Sequence, residues 1–213
     1  MPSLEPLWDL LFPAKCPFCG ALLEKGALLC PDCQSALPWL TGERAFRRVE
    51  LTEGCWSVLG YEGAVRKAIH GYKFSGKSGR SKPFGALMSQ CLVDHGVEFD
   101  LITWPSLSQK RLRQRGYDQA ELLAREIGTR LGKPAARTLE KTKRPAQSGL
   151  EGPEARKVNL LGAYTAVEPE RFQGKRLLLV DDIVTTGATL TECAGALRAA
   201  GSGAVICITL ART

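Results

Sequence analysis

Hydrophobic positions along the chain follow two patterns, short apolar runs and segments with helical periodicity. The apolar runs predict strands at residues 57–61, 101–104, 175–180 and 205–210. The periodic segments predict helices at residues 64–72, 84–93, 118–131 and 189–200. Because strands and helices alternate, the pattern predicts an α/β fold in which helices flank a parallel sheet with right-handed crossovers.

Two stretches depart from this alternation. Residues 40–49 are polar and basic, and they predict a linker between a small module at residues 1–45, whose apolar start is predicted to be helical, and a domain at residues 46–213. Residues 132–160 show no clear periodicity and are rich in Lys, Arg, Gly and Pro. A long irregular stretch inside a compact domain is typical of a functional lid or a mobile loop.

The length and charge of the chain narrow the class of protein. Its 213 residues are enough for one sizeable α/β domain and a small appendage. The net charge of +7 favours anionic partners such as nucleotides, phosphorylated sugars or nucleic acid. Every apolar run is shorter than a membrane span and no signal peptide is evident, so we expect a cytoplasmic protein without a membrane span.

Four of the eight cysteines form two Cys-x-x-Cys pairs, Cys16 with Cys19 and Cys30 with Cys33. Each turn can aim two thiolates at one point, and two such turns complete a tetrahedral site that leaves no position for water or substrate. We therefore predict a structural Zn²⁺ whose binding folds residues 14–35. Two unrelated redox or buried pairs are the alternative.

The other four cysteines lie in apolar or helical surroundings and are typical of small buried side chains. They are Cys55, Cys91, Cys193 and Cys207. We expect none of them to have a histidine partner that would make it a nucleophile, and we expect His70 and His95 to stand alone.

The most specific pattern combines an apolar strand, an acidic pair and a hydroxyl-rich loop that enters a helix. The strand ends at Val180, Asp181 and Asp182 follow, and the loop is built from Thr185, Thr186, Gly187, Ala188 and Thr189. Ligands of open α/β sheets bind beyond the carboxyl ends of the strands. Successive N–H groups of this loop and of the helix start predict a concave donor surface for a dianionic phosphate, and Gly187 permits close approach or positive φ.

The acidic pair limits which phosphorylated ligand fits. Carboxylates beside a phosphate repel it unless they face hydroxyl groups or a metal ion. A ribose 5-phosphate meets both requirements, with its phosphate in the loop and its 2′ and 3′ hydroxyls on Asp181 and Asp182. A strand end with an Asp turn and a capped helix is the alternative.

This stretch resembles the motif with which type I phosphoribosyltransferases bind 5-phosphoribosyl-1-pyrophosphate (PRPP). The whole chain resembles the ComF family, amidophosphoribosyltransferase-like proteins of bacterial competence and DNA uptake, some of which are labelled GntX. The matching segments are the two cysteine pairs, residues 72–77, residues 111–119, Gln147 to Leu150 with Arg156 and Asn159, and the phosphate loop. The resemblance implies a type I phosphoribosyltransferase fold behind the zinc module.

The resemblance also implies a reaction. Mg²⁺ would accompany PRPP as the donor, and Asp181 and Asp182 would stabilise a ribosyl cation electrostatically before a nitrogen nucleophile attacks C1. This sequence departs from the family pattern at Asp118, where the resemblance leads us to expect Asn. We expect Asp118 to cap the helix that follows and to form a capping box with Glu121.

Several basic residues have two interpretations each. Lys73, Ser75, Gly76 and Lys77 either grip the pyrophosphate of PRPP or form a solvated basic turn after a helix. Arg111, Arg113 and Arg115 either close over phosphates as a hood, contact a nucleic-acid backbone, or are solvated charges before a helix.

Three functions remain open at this level. The first is a phosphoribosyltransferase with an unknown acceptor, and the second is a PRPP- or nucleotide-sensing module without catalysis. The third is a factor that handles incoming single-stranded DNA together with a helicase-type partner, as the family label implies. The acceptor cannot be read from the residues.

Overall fold

The structure is a computed structural model that describes residues 14–142 and 162–213. Its helices are α1 (Pro31–Ala36), α2 (Gly63–Phe74), α3 (Ser81–Asp94), α4 (Gln109–Arg115), α5 (Gln119–Leu131) and α6 (Ala188–Ala199). Its strands are β1 (Phe46–Arg47), β2 (Cys55–Gly60), β3 (Leu101–Thr103), β4 (Leu139–Lys141), β5 (Tyr164–Ala166), β6 (Leu177–Val184) and β7 (Val205–Arg212). Short 3₁₀ turns lie at Gly42–Ala45, Ser78–Arg80 and Pro169–Arg171. No helix in these two ranges is long and apolar enough to cross a membrane.

Five strands form the main sheet in the order β1-β2-β7-β6-β3. The four strands β2, β7, β6 and β3 are parallel, and β1 is antiparallel to β2 at one edge. In register, Leu179 of β6 lies opposite Cys207 of β7 and Thr103 of β3. The predicted parallel sheet is therefore confirmed, and the carboxyl ends of four strands share one edge.

The sheet is covered on both faces. Successive residues of its central strands point to opposite faces, and apolar side chains pack against them on each side. Leu178 packs in one cluster with side chains of α2, α3 and α5, while Leu179 packs in a second cluster with Leu190 of α6 and Leu139 of β4. Burial of each such side chain contributes about 1.5–3 kcal/mol. The continuous apolar run that predicted β6 reflects this two-sided burial.

Three segments differ from the sequence prediction. The predicted linker at residues 40–49 contains β1, which pairs with β2. Residues 109–115, expected as a basic approach to a helix, form a helix of their own that Ser108 caps. The stretch predicted to be irregular at residues 132–160 contains β4, which pairs with β5 in an antiparallel hairpin. The remaining part of that stretch, residues 143–160, lies outside the described residues. It includes Gln147, Arg156 and Asn159.

The predictions for the scattered cysteines hold for three of the four. Cys55, Cys193 and Cys207 are fully buried. Cys91 is half-buried, and its Sγ lies 3.8 Å from Nδ1 of His95, so the expectation that it has no histidine partner was wrong. The two residues are one helical turn apart at the end of α3, a spacing that places them on one face. Burial raises the pKa of the Cys91 thiol to about 11, which disfavours the reactive thiolate.

Candidate functional site

The four paired cysteines form one cluster. Their sulfur atoms all lie within 4.8 Å of one another. Tetrahedral zinc with Zn–S bonds of 2.3 Å separates its sulfur ligands by about 3.8 Å, so this cluster fits the ion. Cys30 caps α1 and Cys33 lies in the first turn of that helix, which fixes the second pair in place.

One thiol of this cluster, that of Cys16, is poised to lose its proton. Burial acts to raise the pKa of Cys16, but main-chain hydrogen bonds near Cys30, Cys19 and Phe18 outweigh it and lower the pKa to about 6. The pKa of Cys33 is raised, first by burial and then by the neighbouring thiols. A thiolate at Cys16 provides the charge that a first metal ligand needs. The cluster therefore supports a structural zinc site.

The phosphate loop follows β6 as predicted. Gly187 is the N-cap of α6 and adopts φ 85° in the left-handed region, where a side chain is strained. Among the described residues, no acceptor lies against the main-chain N–H groups of Thr186, Gly187 and Thr189. The Ala188 N–H donates to Thr186 Oγ1 at 3.3 Å. The loop therefore presents three uncommitted donors beside a helix N-terminus, as a phosphate cradle requires.

Two residues from the β1 region support this loop. The Arg47 guanidinium donates a hydrogen bond to the Thr185 carbonyl. A Cβ placed on Gly187 would lie 3.4 Å from Cγ1 of the buried Val49. The loop is thus held from behind by a cation and an apolar side chain. Both residues lie in the segment that the sequence predicted to be a linker.

The acidic pair lies near the carboxyl end of β6. Asp182 is buried and accepts an ion pair from Lys73, whose Nζ lies 2.9 Å from Asp182 Oδ1. Asp181 is half-buried, and its Oδ1 accepts the main-chain N–H of Asp182 at 2.8 Å. The sequence predicted that Lys73 follows the helix, but Lys73 lies in the last turn of α2. The structure therefore brings one predicted basic residue directly to the acidic pair.

The pKa of Asp181 is strongly raised. Burial raises its pKa most, the neighbouring charge of Asp182 raises it further, and Lys73 partly offsets both, so the pKa is about 7. Near neutral pH the pair therefore carries a proton that a cation or an approaching hydroxyl donor can displace. A strongly perturbed carboxyl beside an empty donor loop is typical of a binding or catalytic site.

The β4–β5 hairpin packs against α6 and adds basic and aromatic side chains near the acidic pair. Lys141 Nζ lies 5.1 Å from the ring centroid of Tyr164, which stands opposite it in the hairpin. Burial lowers the pKa of Lys141, Arg111 lowers it further, and the negative charge of Asp181 opposes both. The hairpin is anchored because Glu192 of α6 accepts the N–H groups of Gly162 and Ala163. Lys141 is thus an electrostatic neighbour of Asp181, and Arg111 is an electrostatic neighbour of Lys141.

The remaining predicted residues separate into two places. Arg115 donates to Gln119 Oε1 at 2.7 Å, and its guanidinium lies 4.8 Å from the ring centroid of Phe74. Lys77 lines a different cavity, of about 540 Å³, beside Cys16 and Arg80 of the zinc-module side. Ser75 is the C-cap of α2, and Gly76 continues the turn with φ 64°. No described contact joins Ser75, Gly76 or Lys77 to the acidic pair.

Asp118 caps α5 as predicted. Its side chain accepts the N–H groups of Ala120 and Glu121, and it also accepts the N–H of Leu107 at 2.8 Å. The expected capping box with Glu121 is not formed, because the Glu121 carboxylate pairs with Arg125 and no described hydrogen bond joins it to the Asp118 N–H. The cap therefore also fixes the loop that leaves β3 at the carboxyl edge of the sheet.

Sequence reasoning missed four residues of this site: Arg47, Val49, Lys141 and Tyr164. Arg47 and Val49 lie in a polar stretch with no periodicity, and their role arises only when β1 pairs with β2. Lys141 and Tyr164 belong to strands of three residues each, too short for an alternation to be recognised. The only usable signal was the concentration of basic residues on both sides of residue 141.

Two protein-family descriptions match the chain. A double zinc ribbon domain matches residues 7–45, and a phosphoribosyl transferase domain matches residues 115–213. The first covers the four-cysteine cluster, and the second covers the acidic pair and the phosphate loop.

The proteins similar to this chain include the following three. The DNA utilization protein YhgH of Salmonella typhimurium is 28% identical over 206 residues, which cover 93% of this chain and 90% of that protein. The competence protein ComFC of Bacillus subtilis is 29% identical over 195 residues, which cover 90% and 74% of the two chains. Competence protein F of Haemophilus influenzae is 37% identical over 91 residues, which cover 41% of this chain and 39% of that protein. Together with the cysteine cluster, these matches show that the chain joins an N-terminal double zinc ribbon to a phosphoribosyl transferase domain and is similar to ComF and YhgH proteins over most of its length.

Proposed function

We propose that this protein binds PRPP at the carboxyl edge of the sheet and transfers its 5-phosphoribosyl group to a nitrogen acceptor. One observation carries the proposal: three uncommitted N–H donors of the Thr185–Thr189 loop lie directly beyond a strand that carries two carboxylates in its second half. The donors suit the terminal phosphate, and the carboxylates suit the ribose hydroxyls.

The chain's own residues supply orientation and charge. Asp182 is fixed by Lys73 and Asp181 by the main chain, so their negative charge stays in one position under the sugar. A positive charge that develops on the ribose is stabilised there without reorganisation of the protein. Lys141, which interacts electrostatically with Asp181 and Arg111, supplies positive charge of the kind that a departing diphosphate requires.

The donor set of the acidic pair fits Mg²⁺, which prefers hard carboxylate oxygens. Asp181 and Asp182 would hold the ion together with the diphosphate oxygens, and the ion would offset charge on the leaving group. The protein's part is to keep the two carboxylates adjacent. Because the pKa of Asp181 is raised to about 7, binding of a cation there would release the proton that this carboxyl holds below that pH.

Calorimetry with PRPP and Mg²⁺ tests binding. We expect the wild-type protein to bind and the double variant Asp181→Asn, Asp182→Asn to lose at least about a hundredfold in affinity, since each of the two charge-assisted contacts is worth about 1.5–3 kcal/mol. The proposal is wrong if the double variant binds PRPP as well as the wild type does.

Pyrophosphate release separates transfer from sensing. A transferase releases pyrophosphate when ammonia or a nucleobase is added with PRPP, whereas a sensor binds PRPP and releases none. The names of the relatives place them in competence and DNA utilization. We infer the same setting for this chain, so acceptors that arise from DNA breakdown belong among those tested.

A second candidate function is contact with single-stranded DNA, and one surface feature favours it. Phe74 is 59% exposed, with the His70 ring 4.9 Å and the Arg115 guanidinium 4.8 Å from its ring centroid. An exposed aromatic ring beside a guanidinium is suited to base stacking. Electrophoretic retardation of single-stranded DNA at several salt concentrations should weaken on Phe74→Ala. It should not weaken on Val93→Ala, which removes an equally exposed apolar residue.

A further inference from the structure

The Lys73–Asp182 pair is the most deeply buried ion pair within residues 14–142 and 162–213. The side chains are 23% and 8% exposed, whereas each partner in every other described pair is at least 19% exposed and most exceed 34%. Removing one partner of a buried pair strands the other charge at high cost. Asp182 is therefore committed to a cation in the free protein.

The position of Lys73 is fixed by its neighbours on α2. The preceding Tyr72 is buried and donates to the Gln119 carbonyl at 2.9 Å, and its own carbonyl accepts the hydroxyl of Tyr117. The following Phe74 is held against Arg115. Because the helix end is anchored on both sides, the ammonium of Lys73 can change partner while its backbone stays in place.

We propose that Lys73 is a specificity-determining residue that excludes a bare divalent cation from the acidic pair and admits one that arrives bound to a diphosphate. The inference rests on the proposed function, because it assigns the same two carboxylates to the ribosyl ligand. It adds what the site rejects and which side chain rejects it.

The argument is one of charge. A divalent cation on Asp182 would lie within a few ångströms of the ammonium, and two like charges repel strongly in a partly buried site. A bare cation would also leave the half-buried Lys73 without an anionic partner. A cation that arrives with diphosphate supplies that partner, since ammonium groups bind phosphate oxygens through charge-assisted hydrogen bonds. The exchange then conserves the number of paired charges.

Binding of Mn²⁺ alone to the zinc-loaded protein, followed by electron paramagnetic resonance, provides the test. We expect Mn²⁺ to bind weakly to the wild type and at least about tenfold more tightly to Lys73→Met. In that variant the ammonium that competes with Mn²⁺ for Asp182 is absent. The affinity for PRPP with Mg²⁺ should change in the opposite direction, by about tenfold or more. Lys67→Met removes an exposed cation from the same helix and should change neither value.

The outcomes separate this inference from the proposed function. Unchanged Mn²⁺ binding in Lys73→Met, or a gain for both probes, overturns the role of Lys73. Metal-free ribose 5-phosphate that fails to bind the wild type overturns the proposed function instead. If circular dichroism shows Lys73→Met to be unfolded, Lys73→Arg keeps the positive charge and should still exclude Mn²⁺. Tight Mn²⁺ binding by that variant contradicts the inference.

Discussion

Asp181 shows how burial and a neighbouring acid prepare a side chain for ligand binding. Its pKa of about 7 lies above the ordinary value of 3.8, mainly because of burial and then because of Asp182. The folded protein therefore holds a proton that the unfolded chain has lost between these two pH values. Stability contributed by this group is present below about pH 4 and is lost as the pH rises to about 7.

Asp181→Asn should consequently stabilise the free protein more at pH 8 than at pH 5. The amide carries no charge to desolvate, so its advantage over the wild type grows across the window in which Asp181 ionises. Thermal unfolding at several pH values measures the difference. Asp94→Asn, at the exposed end of α3, is the control for loss of a carboxylate outside the acidic pair. A constant advantage for Asp181→Asn would argue against the raised pKa.

Gly187 makes a second prediction at the level of a single residue. Ala at φ 85° costs about 1–2 kcal/mol in the left-handed region, and its methyl group would be in van der Waals contact with Val49. We expect Gly187→Ala to be destabilised by that amount and to bind ribose 5-phosphate more weakly, because the loop must shift. Gly79→Ala is a matched control, since Gly79 has no positive φ and no atom within 4 Å of an added Cβ. Equal stability of the two variants in urea would contradict the assignment.

At the level of elements, the sequence predicted what long apolar runs determine. β6, β7, α5 and α6 were recognised because each buries a continuous or periodic apolar set against the sheet. Elements of two or three residues were missed, since β1 and β4 are stabilised by pairing with distant segments and not by a pattern of their own. The donor loop and the acidic pair were predictable because they adjoin the long apolar run that forms β6. The residues that support them were not.

The two-residue strand β1 gives an element-level prediction. It carries Arg47 to the Thr185 carbonyl, and this contact fixes the orientation of the first peptide of the phosphate loop. Replacing Arg47 with Met should weaken ribose 5-phosphate binding roughly fivefold, the equivalent of one hydrogen bond worth about 1 kcal/mol. Arg48→Met changes the adjacent exposed residue and should have little effect. Calorimetry with both variants distinguishes loop support from a general loss of positive charge.

At the level of the whole molecule, the zinc centre and the sheet share one core. Cys16, Phe18 and Cys30 belong to the same apolar cluster as Leu178 of β6. The Phe18 ring lies 5.5 Å from that of Phe84 in α3. A metal site with its own separate core would leave the sheet intact after metal loss. Here the loss of zinc should be transmitted to α3, because the contact between Phe18 and Phe84 depends on a segment too small to fold alone.

Removal of zinc should therefore lower the melting temperature by at least about 5 °C, which corresponds to a loss of roughly 1.5–2.5 kcal/mol for a chain of this size. Amide hydrogen exchange around Phe84 should accelerate in the same sample. Cys19→Ser, which removes one ligand, should reproduce both effects and lower the bound zinc, whereas Cys91→Ser should retain a full equivalent because Cys91 lies outside the cluster. If exchange in α3 stays slow after complete chelation, the module is only an appendage and the shared core does not couple it to the sheet.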